Sequence, residues 1–182
     1  MSVTALHVPY KKELEPVVRV GENVAIAKGL DEDKWEFYRV KYIEPIHITY
    51  TTSSISAGEE EDVEVTDLEL GRNELGHIRV LVQTDNFSVT VKLPEALPRL
   101  TTKDTYGKVT KWLSDNYPHL TEVFYLADSE PKFTVKNDGT SAATCTIYFV
   151  GFRYILEKLT ERPKEFTVVY VTTVVSGTLG VK

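Results

Sequence analysis

Cysteine is almost missing from this chain. Of 182 residues only Cys145 carries a thiol, which excludes an intrachain disulfide and a cysteine-rich metal site. Its expected state is a reduced thiol packed as a small hydrophobe. An excess of basic charge is missing as well: 21 Lys and Arg stand against 27 Asp and Glu, a formal net charge of −6. The broad positive surface that displaces counterions from phosphates is therefore not expected, and neither is a nucleic-acid partner. No apolar run approaches the roughly 20 residues of a membrane helix. Residues 1–16 lack the basic start and apolar stretch of a secretory signal, so Asn86-Phe87-Ser88, which fits the glycosylation sequon, reads as a chance match.

The usual vocabulary of catalysis is absent too. The four histidines, His7, His47, His77 and His119, form no His-x-His or HExxH pair, which argues against a metal site and against a metal-dependent cupin. No Gly-x-Ser-x-Gly elbow occurs, and Cys145 has no histidine near it in sequence. Neither GxGxxG nor GxxxxGK[ST] is found, so nucleotide phosphates lack their glycine-rich cradle. Asp31, Glu32 and Asp33 follow Gly29-Leu30 without the later ligands of an EF-hand. The run Glu59 to Asp62 suggests a loose calcium site less readily than a solvated acidic loop. The expectation is no catalytic, cofactor-binding or metal residue, and no cofactor.

What is present is β signal in quantity. A hydrophobic fraction of 42% and a charged fraction of 26% mark an ordinary soluble globular chain, long enough to bury a core without staples. Val, Ile, Thr and aromatic residues suit pleated, half-buried surfaces. Residues 17–20, 23–27, 34–43, 46–52, 77–83, 87–93, 132–136, 142–156 and 166–175 read as strands, with Glu122 to Leu126 open between strand and helix. Pro45 is expected to end or bend the third of these. Thr84-Asp85-Asn86 and Asn137-Asp138-Gly139 are expected to join hairpins. Residues 58–76 read as an acidic excursion between strands.

One helix is expected over residues 101–117. Thr101 or Thr102 can cap it, Asp104 sits well at its positive end, and Tyr106, Val109, Trp112 and Leu113 form an apolar stripe. The domain plan is then an extended arm over residues 1–16, a single β-rich domain over 17–175, and a tail over 176–182. Strand-turn-strand order without βαβ alternation predicts an all-β or β-rich α+β fold, mostly antiparallel: a jelly-roll-like sandwich with one flanking helix. An α+β fold with one large sheet is the alternative.

The segment 145–156 (CTIYFVGFRYIL) carries the most information. Alternate strand residues point to opposite sides, and here neither row looks water-facing: Cys145, Ile147, Phe149, Gly151, Arg153 and Ile155 form one, Thr146, Tyr148, Val150, Phe152, Tyr154 and Leu156 the other. Such a strand needs cover on both faces, as a central strand or at an interface. Helix stripe and residues 166–175 are the expected cover and neighbour. Tyr148, Val150, Phe152 and Tyr154 are the candidate interface residues. The aromatics Trp35, Phe37, Tyr38, Tyr42, Tyr148, Phe149, Phe152 and Tyr154 suit a core or interface better than a carbohydrate groove. The expectation is a non-enzymatic structural subunit of a homo-oligomer, most concretely a virion capsid or appendage protein, partnered by itself and by other assembly subunits. It would reside in the cytoplasm of the producing cell or in a virion, with no membrane. A soluble sandwich module binding a carbohydrate or small ligand is the second reading, and an enzyme with a dispersed site the third.

Overall fold

The computed structural model describes residues 15–27, 31–82, 86–92, 100–102, 122–127 and 132–171. Strands dominate them: β1 (Asn23–Ala27), β2 (Glu36–Thr51), β3 (Glu60–Val63), β4 (Glu74–Val82), β5 (Phe87–Lys92), β6 (Leu100–Thr102), β7 (Glu122–Leu126), β8 (Lys132–Asn137), β9 (Thr146–Lys158) and β10 (Thr167–Tyr170). They form a six-stranded sheet in the order β10-β1-β2-β9-β4-β7 and a four-stranded sheet in the order β3-β8-β5-β6. Every pairing is antiparallel except β1 with β10. Ladders join β2 to β9, β3 to β8, β4 to β7 and β5 to β6, and further ladders join β4 to β9 and β5 to β8.

The doubly apolar strand is central, one of the two placements its sequence allowed. β9 lies between β2 and β4, with Gly151 opposite Ile46 on one side and Ile78 on the other. Its Ile147 and Phe149 point to the inner face, where they meet Ile78, Val80 and Val82 of β4, Phe87 and Val89 of β5, and Phe133 and Val135 of β8 in one buried core. Phe133 and Phe149, from the two sheets, approach to 4.8 Å between ring centroids. Tyr154 and Leu156 point to the outer face, where Val18, Val24, Val40, Leu75 and Val169 complete a second core. Burying a side chain of this size contributes about 1.5–3 kcal/mol. β9 therefore anchors both layers.

β2 runs unbroken through Pro45, which stands opposite Phe152. The expected break does not occur because β1 accompanies β2 only over Glu36–Arg39. Beyond that point, among the described residues, the far edge of β2 has no strand beside it, and proline's missing N–H can be tolerated there. A register shift between Val40 and Tyr42 also reverses the pleat. Tyr38 and Val40 before it share the outer face with Ile43, Pro45 and His47 after it.

Other expectations change with the topology. Residues 17–20 form a turn rather than a strand, although Val18 is fully buried. β4 and β5 are not a hairpin, nor are β8 and β9, since each pair is divided between the two sheets. The turn at Asn137 is real nonetheless. Its side-chain amide donates to the Ile55 and Ser141 carbonyls at 2.8 and 2.9 Å, and its side-chain oxygen accepts from Gly139 N at 2.9 Å. β9 has β2 and β4 as neighbours rather than β10, which pairs with β1. Among the described residues the flanking helix is not seen. Thr101 and Thr102 belong to β6, facing Thr90 and Val89, as suits β-branched residues; residues 103–117, with the predicted stripe, lie outside the described residues. So do residues 1–14 of the predicted arm and 172–182, which hold the end of the last predicted strand and the tail.

Candidate functional site

The outer face of the six-stranded sheet gathers all the candidate interface residues, because Tyr148, Val150, Phe152 and Tyr154 alternate along β9. They are unequally available. Tyr154 is fully buried, and its hydroxyl accepts a hydrogen bond from Val17 N at 2.9 Å. Val150 is buried as well, while Tyr148 and Phe152 are half-buried. Across the sheet these stand opposite Thr49, His47 and Pro45 of β2, all exposed, and Leu81, Arg79 and His77 of β4, all buried. Burial thus rises from β2 towards β4. The accessible part of this face is a strip of Tyr148 and Phe152 bordered by Pro45, His47 and Thr49.

At the other end of the same face lies a cavity of about 530 Å³. Its apolar lining is Tyr38, Leu126, Ala127 and Leu156. One wall is the ion pair between Lys158 and Glu36, with Nζ to Oε1 at 2.6 Å, and the Tyr38 hydroxyl donates to the other oxygen of Glu36 at 2.9 Å. The opposite wall is the turn of Arg72, Asn73 and Glu74. Asn73 adopts a left-handed φ of 61° and its carbonyl accepts from Leu156 N at 3.0 Å, which ties this turn to β9. Glu74 accepts from Gly71 N at 2.8 Å and lies 3.8 Å from Arg153 Nε.

The remaining sequence candidates are dispersed. Trp35 meets Tyr170 edge-on at 6.4 Å, and Phe37 meets Phe166 at 5.2 Å with the Arg162 guanidinium 5.5 and 5.3 Å from their centroids. Phe149 belongs to the inner core and Tyr154 to the outer one, so the aromatics share no single groove. His47 is exposed, and His77 is buried with its ring 4.2 Å from that of Phe124; His7 and His119 lie outside the described residues. Among the described residues no group of three His, Cys, Asp or Glu side chains is placed to hold a metal. The acidic run is not a loop: Glu60, Glu61 and Asp62 form edge strand β3. Glu61 accepts from the Ser53 hydroxyl at 2.7 Å and Asp62 from the Thr134 hydroxyl at 2.6 Å. Cys145 is a buried free thiol in the inner core.

Tyr125 was not singled out by sequence reasoning. Its ring lies against Gly76, its hydroxyl donates to the Leu68 carbonyl at 2.8 Å, and burial pushes its phenol above the usual tyrosine range. The cavity was equally hidden, because its walls come from four separated stretches of chain. Among the described residues no helix is long and apolar enough to cross a membrane. Comparison with protein-family models, curated proteins and solved structures finds no match for this chain.

Proposed function

We propose that the chain is a non-enzymatic structural subunit of a homo-oligomeric assembly, built on a jelly-roll sandwich, with a virion shell or appendage as its most concrete setting. The observation that carries this reading is the pairing β2–β9, β3–β8, β4–β7 and β5–β6. In an eight-strand antiparallel ribbon folded back on itself, each strand pairs with the one equally distant from the other end. Rolling that ribbon brings β9 against β4 and β8 against β5, the two further contacts present here. The product is the double-sheet jelly roll used by capsid proteins, lectins and cupins.

Fold does not choose among those uses; the site must. Two features favour assembly. The space between the sheets is filled by apolar side chains such as Ile78, Phe133, Ile147 and Phe149, which makes a solid building block. The accessible aromatic strip at Tyr148 and Phe152 lies on the outer face of the same rigid sheet, where a second copy can meet it in closed symmetry. Self-association is the expected partner chemistry, with no nucleic acid.

Native mass spectrometry and electron microscopy of the purified protein test this directly. The expected result is a defined oligomer or particle. Deleting residues 1–16 or 176–182 should shift it to smaller species with the β fold retained, and Tyr148→Glu should do the same. Tyr154→Glu, at a fully buried position, should instead unfold the subunit. A monodisperse monomer at every concentration would overturn the proposal.

A further inference from the structure

The four charged residues that line the cavity on the outer face balance in number, Glu36 and Glu74 against Lys158 and Arg72, but not in pairing. Its two acids are already engaged: Glu36 by Lys158 and the Tyr38 hydroxyl, Glu74 by Gly71 N and Arg153. Both cations facing those acids are thereby matched. Arg72 is the charged lining residue left unpaired among the described residues. It lines the cavity from an exposed turn, and its guanidinium is engaged by none of the described residues. Below it lie Leu126, Leu156 and the ring of Tyr38, an apolar floor of which Leu156 is only 5% exposed. The site therefore combines a guanidinium without a partner among the described residues with apolar side chains beneath it.

We infer that this cavity is a binding site for a small amphipathic organic anion, a carboxylate with a compact apolar body. The carboxylate meets the Arg72 fork, which matches its planar geometry with two parallel donors. The apolar body lies on Leu126, Leu156 and Tyr38. Lys158 stays with Glu36 and forms the polar rim. A volume of about 530 Å³ accommodates a ligand of roughly ten to twenty heavy atoms, within the usual range of small-molecule sites. The turn that presents Arg72 is held to β9 through the Asn73 carbonyl, so the site is largely formed before any ligand arrives. The inference does not depend on whether the chain assembles.

The test is an NMR titration of the full chain with 3-phenylpropionate and, separately, with its neutral amide. Saturable shifts confined to the amides of Arg72, Asn73, Glu74, Leu126 and Leu156 are expected for the carboxylate. The amide should bind about tenfold more weakly, the loss of one charge-assisted contact of about 1.4 kcal/mol. Arg72→Gln, an exposed change that leaves the far-ultraviolet circular dichroism unaltered, should weaken the carboxylate by a similar factor and leave the amide unaffected. Equal binding of carboxylate and amide, unchanged carboxylate binding by the variant, shifts scattered over other surfaces, or no saturable shift at millimolar ligand would each overturn the inference.

Discussion

Gly151 lies on β9 between Ile46 of β2 and Ile78 of β4, and replacing it with alanine probes the central ladder of the fold. A Cβ at this position would lie 1.9 Å from the His77 carbonyl oxygen and 2.9 Å from both His77 C and Ile78 Cα. All of these are backbone atoms, so no rotamer change relieves the overlap. Against an ordinary contact of 3.4–4 Å, β4 would have to retreat by about 1.5 Å. Overpacking by one methyl in a well-packed interior costs about 1–3 kcal/mol. Moving β4 also weakens about two ladder hydrogen bonds at roughly 1 kcal/mol each. Gly151→Ala should therefore destabilise by about 4 kcal/mol, a large share of the 5–15 kcal/mol typical of a domain.

Urea unfolding followed by circular dichroism measures this. With a slope of about 2 kcal/mol per molar, the midpoint should fall by roughly 2 M. Two other glycines calibrate the result. Gly58 has a φ of +79° and nothing within 4 Å of an added Cβ, so Gly58→Ala should cost only about 1 kcal/mol of backbone strain. Gly76→Ala would place its Cβ 2.2 Å from the Tyr125 ring, a side chain that can move only by giving up its bond to Leu68; its cost should shrink in a Tyr125→Ala background. A midpoint for Gly151→Ala within about 0.5 M of wild type would refute the claim that strand spacing requires glycine there.

Asn137→Ala should cost about 2–4 kcal/mol in the same assay, because it removes three side-chain hydrogen bonds, leaving the Ile55 and Ser141 carbonyls without this donor and Gly139 N without this acceptor; a loss below about 1 kcal/mol would mean that the turn holds without them. Glu22 gives a pH dependence. Its carboxylate accepts from the Thr167 hydroxyl and the Arg19 amide, which hold it below the usual glutamate range. A depressed folded value means that this stabilisation is present above the unfolded pKa and is lost as pH falls through the folded one. Thermal melts between about pH 6 and pH 3 should show a steeper acid decline for wild type than for Glu22→Gln, and parallel curves would remove Glu22 from the acid response.

The parts of the fold that could be read from sequence were those set by burial alone. Two apolar rows in β9 announced a strand covered on both sides, and the alternation of Ile78, Val80 and Val82 announced the face of β4 that meets the second sheet. Pairing was harder, because local turn chemistry at Asn137-Asp138-Gly139 says that the chain reverses but not which sheet receives it. Pro45 misled for a related reason: proline forbids a ladder bond, but only on a side where a strand needs one. Thr101 and Thr102 suit a helix cap and a strand equally well, and pairing with β5 decides between them. The cavity left no local trace, since Glu36, Arg72, Leu126 and Lys158 are brought together only by the register of β2, β9, β4 and β7.

The edges of the sheets sharpen the assembly proposal. β3 ends the smaller sheet with Glu60, Glu61 and Asp62, and charge along an edge resists pairing with another chain. The open length of β2 beyond β1 carries exposed Lys41, Glu44, Pro45 and His47, and a cation and a proline there have the same effect. Backbone pairing along these two edges is thus opposed by the residues that border them. Association through this part of the molecule has to use side chains on a sheet face. The Tyr148 and Phe152 strip, supported from behind by the filled inner core, supplies that face, and Tyr148→Glu is therefore a sharper test of assembly than any disruption of strand pairing.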